Sequence, residues 1–314
     1  MKLSIILPLF DLRNAFETQL ASLLNQSLER IKYEIVVVIP ERDKHSFLGG
    51  EPYKSLLSQC DQIIFVDADP EAPESEIVFY SAGCEKATGD LLFFIEGHTT
   101  ILPDACSAIY EHFYTKPQCL AAWGLRLNRN RETLGKLIGM HNICHENVAK
   151  THGWFTFGAN SIIRKSEFRE LGGFEPTYGR FNESIMFERL RKRGTDVDKL
   201  DYPVSIHYND MSVAHLMRLT AAMGRWRSSY YLLNTEDDAT DNCFATHRMA
   251  RLVGGSGSAR LWLPVFSAVG FSLLHMAKVI FNVNRRLAYR VFVSGLGFCD
   301  LSGYTQVRLH GLKN

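Results

Sequence analysis

Four short, almost wholly apolar runs dominate the first hundred residues: Leu3–Leu7, Glu34–Pro40, Ile63–Val66 and Leu91–Ile95. Runs this brief and uniform do not make an amphipathic helix; they read as strands buried on both faces of a parallel sheet. Proline closes the first two, at Pro8 and Pro40. Helical faces lie between them. Ala15–Leu28 is apolar at 16, 20, 23 and 24, with Asn14 as a candidate N-cap, and Ile77–Thr88 is stopped by Gly89. This alternation predicts an α/β fold with a parallel sheet and right-handed crossovers.

The fourth run ends in Glu96-Gly97-His98. Open α/β sheets bind ligands beyond the carboxyl ends of their strands. Two positions apart in extended backbone, a carboxylate and an imidazole point to one side and suffice to grip one cation. A strand ending in a polar turn, with Thr99 and Thr100 opening the next segment, fits the same residues. Asp67-Ala68-Asp69 looks similar but comes one βα unit too early, beside Pro70, Pro73 and several glutamates, and reads as a solvated loop.

Downstream, Asp104–Tyr114 reads as a helix, Ala121–Leu125 as a strand and Arg126–Glu132 as a polar loop. Trp154–Arg164 has the aromatic and β-branched content of a strand broken by Gly158, where glycine marks either a close backbone approach to a substrate or a bulge. Lys165–Leu171 and Glu183–Lys192 are helical, and Tyr202–Ile206 is a strand followed by His207. From Met211 the character changes. Val213–Leu233 is helical and interleaves basic and aromatic groups at Arg225, Trp226 and Arg227, and Thr235–Asp241 is an acidic spacer. Leu261–Leu274 is apolar but far shorter than the roughly 20 residues of a membrane span. Pro264 suggests a helix that begins there. With Arg285, Arg286 and Arg290 after it, residues 261–283 suit either a membrane surface or a helical hairpin packed on the rest of the chain or on a second subunit, the latter giving a homo-oligomer.

With 314 residues, the chain can make one large α/β domain, alone or with an appendage. Its 35 basic and 34 acidic residues leave a net charge of +1, which argues against a nucleic-acid binder working through bulk charge. Seven scattered cysteines without a C-x-x-C favour a reducing compartment, and the N-terminus shows no signal-peptide pattern. Neither G-x-G-x-x-G nor G-x-x-x-x-G-K-[ST] follows the first strand, so dinucleotide and P-loop readings lose their support.

Taken in order, Ser4–Pro8, Glu34–Val38, Ala87-Thr88-Gly89-Asp90 with its strand and Glu96-Gly97-His98, Leu102-Pro103-Asp104, Gly158-Ala159-Asn160, Leu171–Phe174 and Glu183-x5-Arg189-Leu190-x3-Gly194 resemble the family 2 glycosyltransferases of GT-A fold. The resemblance implies a Rossmann-like, mostly parallel sheet with flanking helices over residues 1–210. Residues 1–100 would form the nucleotide-binding half, 101–210 the acceptor half, and 211–314 a C-terminal helical, membrane-associated extension. It implies inverting transfer of a sugar from a nucleotide-sugar to a glycan or lipid-linked acceptor, at the cytoplasmic face of the membrane, in polysaccharide biosynthesis. Glu183 falls at the base that deprotonates the acceptor. Pro8, Phe10, Asp11, Glu41 and Glu96 fall on the donor side, and Trp154, Gly158, Asn160 and Asn182 on the acceptor side. Glu96-Gly97-His98 stands at the D-x-D metal motif and, with His207, implies a divalent cation. Imidazole ligands favour Mn²⁺ over Mg²⁺. Arg189 reads as a fold-stabilising ion-pair partner. Both metal aspartates are replaced, and Ile39-Pro40 stand where the family reads the nucleotide base. The rival is thus a catalytically degenerate domain that binds a nucleotide-sugar or a partner glycosyltransferase. A nucleotidyltransferase is disfavoured by the lack of a glycine-rich basic loop.

Overall fold

The computed structural model describes residues 1–9, 16–50, 53–68, 75–141, 158–208, 211–233 and 256–310. Two compact units are present. The first comprises Met1–Arg129, Phe155–Pro176 and Asn182–Tyr208, and the second Asn130–Trp154, Thr177–Phe181 and Asn209–Asn314.

The first unit is built on an eight-stranded sheet: β1 (Leu3–Pro8), β2 (Tyr33–Pro40), β3 (Gln62–Val66), β4 (Leu91–Phe94), β5 (Thr99–Ile101), β6 (Ala121–Asn128), β7 (Ser161–Arg164) and β8 (Val197–His207). The strands lie in the order β3-β2-β1-β4-β7-β6-β8-β5. The four apolar runs of the sequence form β1 to β4, mutually parallel. Their side chains are buried on both faces along β1, β2 and β4, as such uniform runs require. One face carries Leu3, Ile5, Leu7, Ile35, Val37, Leu91 and Phe93, packed with Leu20 and Leu23 of the helix Phe16–Leu24. Beyond β4 the sheet becomes mixed: β7 is antiparallel to both β4 and β6, β8 is parallel to β6, and β5 is antiparallel to β8. The expectation of a mostly parallel sheet with flanking helices holds.

A buried knot fastens the other ends of these strands. The Glu34 carboxylate of β2 accepts hydrogen bonds from the Ser4 hydroxyl (2.5 Å), the Thr88 hydroxyl and N–H (both 2.5 Å) and the Gly89 N–H (3.1 Å), with the Lys2 ammonium at 3.1 Å. Burial by itself would raise this carboxyl, but the hydrogen bonds outweigh it and bring it down to about 2.

Three local expectations are corrected. Arg126, Leu127 and Asn128 belong to β6, not to a loop, because their backbone pairs with Ser205, Ile206 and His207 of β8. Thr99–Ile101, read as a polar turn opening the next segment, is β5, paired with β8. Pro264 does not start its helix but sits inside Ser256–Ile280, on the exposed side. The five described cysteines, Cys60, Cys84, Cys106, Cys119 and Cys299, are free thiols.

In the second unit, Val213–Leu233 is helical throughout, and Ser256–Ile280 and Arg285–His310 are long helices packed on each other. Leu134, Leu137, Leu216, Leu274, Ala277, Phe281, Ala288 and Phe292 form its core. Gly179 adopts φ +44°, and a Cβ there would stand 2.2 Å from the Trp226 indole, so the ring packs where only a glycine leaves room. Among the described residues no helix is long and apolar enough to cross a membrane.

Candidate functional site

The carboxyl end of β4 is held by hydrogen bonds to its own backbone. The Ile95 carbonyl accepts from the Tyr80 hydroxyl (3.0 Å), and the Glu96 carbonyl from the Gln19 amide (2.6 Å) and the Thr99 hydroxyl (2.7 Å). The turn that follows approaches the end of β1 so closely that a Cβ at Gly97 would lie 2.9 Å from the Pro8 carbonyl oxygen. Glu96 and His98 are therefore fixed at the main chain before any ligand is considered.

The register of β8 brings in a third group. His207 pairs with Thr99 of β5 on one side and with Asn128 of β6 on the other. That row sets His207 Nε2 2.9 Å from Glu96 Oε2 and 2.9 Å from His98 Nε2, with His98 Nε2 3.5 Å from Glu96 Oε2. On the far side of the ring, His207 Nδ1 lies 3.3 Å from Asn128 Oδ1. A carboxamide oxygen accepts hydrogen bonds, so in the Nδ1–H tautomer of His207 it would take that proton and leave the Nε2 lone pair for a cation beside Glu96 and His98. His207 is 2% exposed, whereas the His98 side chain is 34% exposed and opens the group to solvent.

These three donor atoms fit a divalent cation. Ligands about 2.1–2.2 Å from one ion and at right angles to one another stand roughly 3 Å apart, close to the spacing seen here. Two imidazoles and one carboxylate suit Mn²⁺ and other transition ions better than Mg²⁺. Asn128 supplies the outer partner that ligating histidines regularly have.

A second carboxylate belongs to the same unit. Glu183 lies in the first turn of the helix Asn182–Lys192, and its carboxylate rests on the backbone of Gly158: a Cβ there would stand 2.6 Å from Glu183 Cδ and 2.7 and 2.8 Å from its oxygens. The sequence readings of Gly158, a close approach to a substrate or a bulge, did not name this neighbour: the group lying against its bare backbone is Glu183. Asn160, two residues on, takes φ +66°, donates its N–H to the Phe94 carbonyl of β4 (2.8 Å) and accepts from the Gly124 N–H of β6 (2.8 Å). Its carboxamide is 1% exposed, and neither its oxygen nor its nitrogen has a protein partner. A buried, unpartnered amide costs stability unless something else uses it.

The remaining predicted residues fall as follows. Asn182 is buried, and its carboxamide clasps the N–H and C=O of Glu175, both at 2.6 Å, which fixes the start of the Glu183 helix. Arg189 donates to the Leu171 and Gly173 carbonyls and pairs with Glu175 at 3.5 Å, the structural role expected of it. Glu41 follows β2 at the surface and pairs with Lys44. Pro8 is buried at the end of β1. Phe10, Asp11 and Trp154 lie outside the described residues. The sequence reading missed Asn128, placed in a presumed loop; the alternation of Leu125 and Leu127 around Arg126 was the available sign of a strand.

No family model and no curated protein matches the sequence. Solved structures do match. The mannosyltransferase PcManGT from Pyrobaculum calidifontis, in complex with GDP-Man and Mn²⁺, is 12% identical over 99% of this chain and 88% of its own, with a TM-score of 0.59. S. aureus TarS is 11% identical over 98% of this chain and 55% of its own, with a TM-score of 0.52. TarS residues 1–349, in complex with UDP, is 13% identical over 98% and 90%, with a TM-score of 0.50. The fold is the GT-A fold of such glycosyltransferases.

Proposed function

We propose that the protein is an inverting glycosyltransferase that moves a sugar from a nucleotide-sugar to a hydroxyl of a glycan or lipid-linked acceptor. The observation that carries this reading is that Glu96, His98 and His207 converge at one end of β4 while Glu183 sits over the Gly158 backbone, which Asn160 ties to the same strand end. The neighbours of like fold are complexes with GDP-Man and Mn²⁺ and with UDP. A divalent cation held by Glu96, His98 and His207 would neutralise charge on a departing nucleoside diphosphate.

The chain's own groups supply the rest. Glu183 accepts the proton of the attacking hydroxyl, as a carboxylate held rigid by the Gly158 backbone and by the Asn182–Glu175 clasp can do. The unpartnered carboxamide of Asn160 offers both a donor and an acceptor to a sugar hydroxyl. Of the residues expected on the donor side, Pro8 ends β1 and Glu41 follows β2. A single displacement with the base opposite the leaving diphosphate inverts the anomeric centre.

The test is hydrolysis or transfer with UDP-, GDP- and dTDP-sugars, each with Mn²⁺, Mg²⁺ or chelator. The expected result is turnover of one donor with Mn²⁺, lost in Glu183→Gln while donor binding persists. Donor binding without turnover under every condition would instead establish the non-catalytic binding domain, and no binding at all would remove both readings.

A further inference from the structure

The paired C-terminal helices carry a surface that the transfer chemistry does not use. Ser256–Ile280 and Arg285–His310 turn back on each other through residues 281–284, and Asn284 caps the second helix by accepting the Leu287 N–H (3.0 Å). Leu274, Ala277, Phe281, Ala288 and Phe292 point inward and are buried. Outward, at the turn, stand Met276, Val279, Val283 and Leu287; Val279 is 77% and Val283 89% exposed.

Cations surround these apolar side chains. Lys278, Arg285, Arg286 and Arg290 are all exposed, and the Arg285 guanidinium lies over the Phe281 ring. From residue 242 to 299 the sequence contains seven Lys and Arg and no Asp or Glu, so nothing within the segment neutralises them. Single apolar residues at a surface need no explanation, but four around one helix-to-helix turn, ringed by positive charge, do. A second copy of the chain is a poor occupant, since a self-complementary contact would bring like charges together. An anionic lipid surface matches both properties: its acyl boundary accepts the valines and leucine, and its phosphates attract the cations. The helices are not of a kind to cross the bilayer, so the contact is interfacial.

We propose that the turn Met276–Arg290 docks the protein on an anionic lipid surface, with Val279, Val283 and Leu287 inserted among the headgroups and Lys278, Arg285, Arg286 and Arg290 on lipid phosphates. This surface is independent of the Glu96–His98–His207 group, so the test needs no substrate. The full chain is sedimented with vesicles of phosphatidylcholine alone or of phosphatidylcholine mixed with phosphatidylglycerol. Binding is expected only to the mixed vesicles and falls as salt is raised. Each juxtamembrane charge is worth about fivefold in partitioning, so R285Q/R286Q weakens binding about twenty-fivefold. V279D/V283D abolishes it while leaving the circular dichroism spectrum unchanged, because both positions are exposed. Three outcomes would overturn the proposal: equal binding to neutral vesicles, no binding to either kind, or a concentration-dependent dimer that V279D/V283D dissolves.

Discussion

Replacing Glu34 with glutamine tests the knot that fastens β1, β2 and β4 at the end away from the site. Its carboxyl is lowered from the ordinary 4.5 to about 2: burial pushes it up, and hydrogen bonds from Ser4, Thr88 and Lys2 more than reverse the effect. A gap of about 2.5 units at about 1.36 kcal/mol per unit makes the ionised carboxylate worth roughly 3 kcal/mol to folding. The folded value lies below the unfolded one. The contribution is therefore fully present above about pH 4.5 and is lost as pH falls toward 2, with roughly 2 kcal/mol gone by pH 3. Glu34→Gln keeps the shape but removes the negative charge and sets an amide NH₂ among the Thr88 and Gly89 N–H groups and the Lys2 ammonium, which only donate, so it should cost about 3 kcal/mol at pH 7. Urea unfolding at pH 7 and pH 3 measures both numbers. Wild type should lose stability between the two, and the variant should start lower and lose about 2 kcal/mol less. A variant as stable as wild type at pH 7, or one with the same acid sensitivity, would refute the reasoning.

Other positions give equally direct readouts. Gly158→Ala places a methyl 2.6 Å from the Glu183 carboxyl carbon; the displaced carboxylate should lower kcat about 100-fold with the KM for donor little changed, measured by transfer assay with Mn²⁺ titration as a control for the metal group. Asn128→Ala removes the outer partner of His207 and should weaken Mn²⁺ binding about 10- to 100-fold, read by calorimetry without any donor. His207→Ala should weaken it further than Asn128→Ala does; equal affinities in the two variants would show that His207 is not a ligand. Gly179→Ala meets the Trp226 indole at 2.2 Å at a backbone angle that suits glycine, and should cost about 2–4 kcal/mol in thermal or urea unfolding.

The strand half of the sheet was legible because local composition specifies it. Residues such as Ile35–Ile39 have nowhere to go but between two layers. Element ends were less legible: Leu91–Ile95 loses Ile95 to the turn, and the helix expected to run to Leu28 ends at Leu24. The mixed half was harder, because β5 is three residues long and exists only through its pairing with β8, more than a hundred residues away. Glu96 and His98 announce themselves by spacing. His207 has no local mark, and only the β5–β8–β6 register shows why that imidazole, rather than His112 or His141, meets them. Gly158 was ambiguous for the same reason: the group that needs its missing side chain is on a helix 25 positions further on.

Glu96 and His98 lie near the middle of the first unit's chain and His207 at its end, 109 residues beyond His98, so the three donor atoms meet only when β8 is in register. An unfolded chain therefore holds no chelate, and cation affinity belongs to the native state alone. By mass action, a metal at about a hundred times its dissociation constant should add about 2.7 kcal/mol to the unfolding free energy. The melting temperature across a series of divalent ions would then rank their fit to Glu96, His98 and His207 before any sugar donor is known.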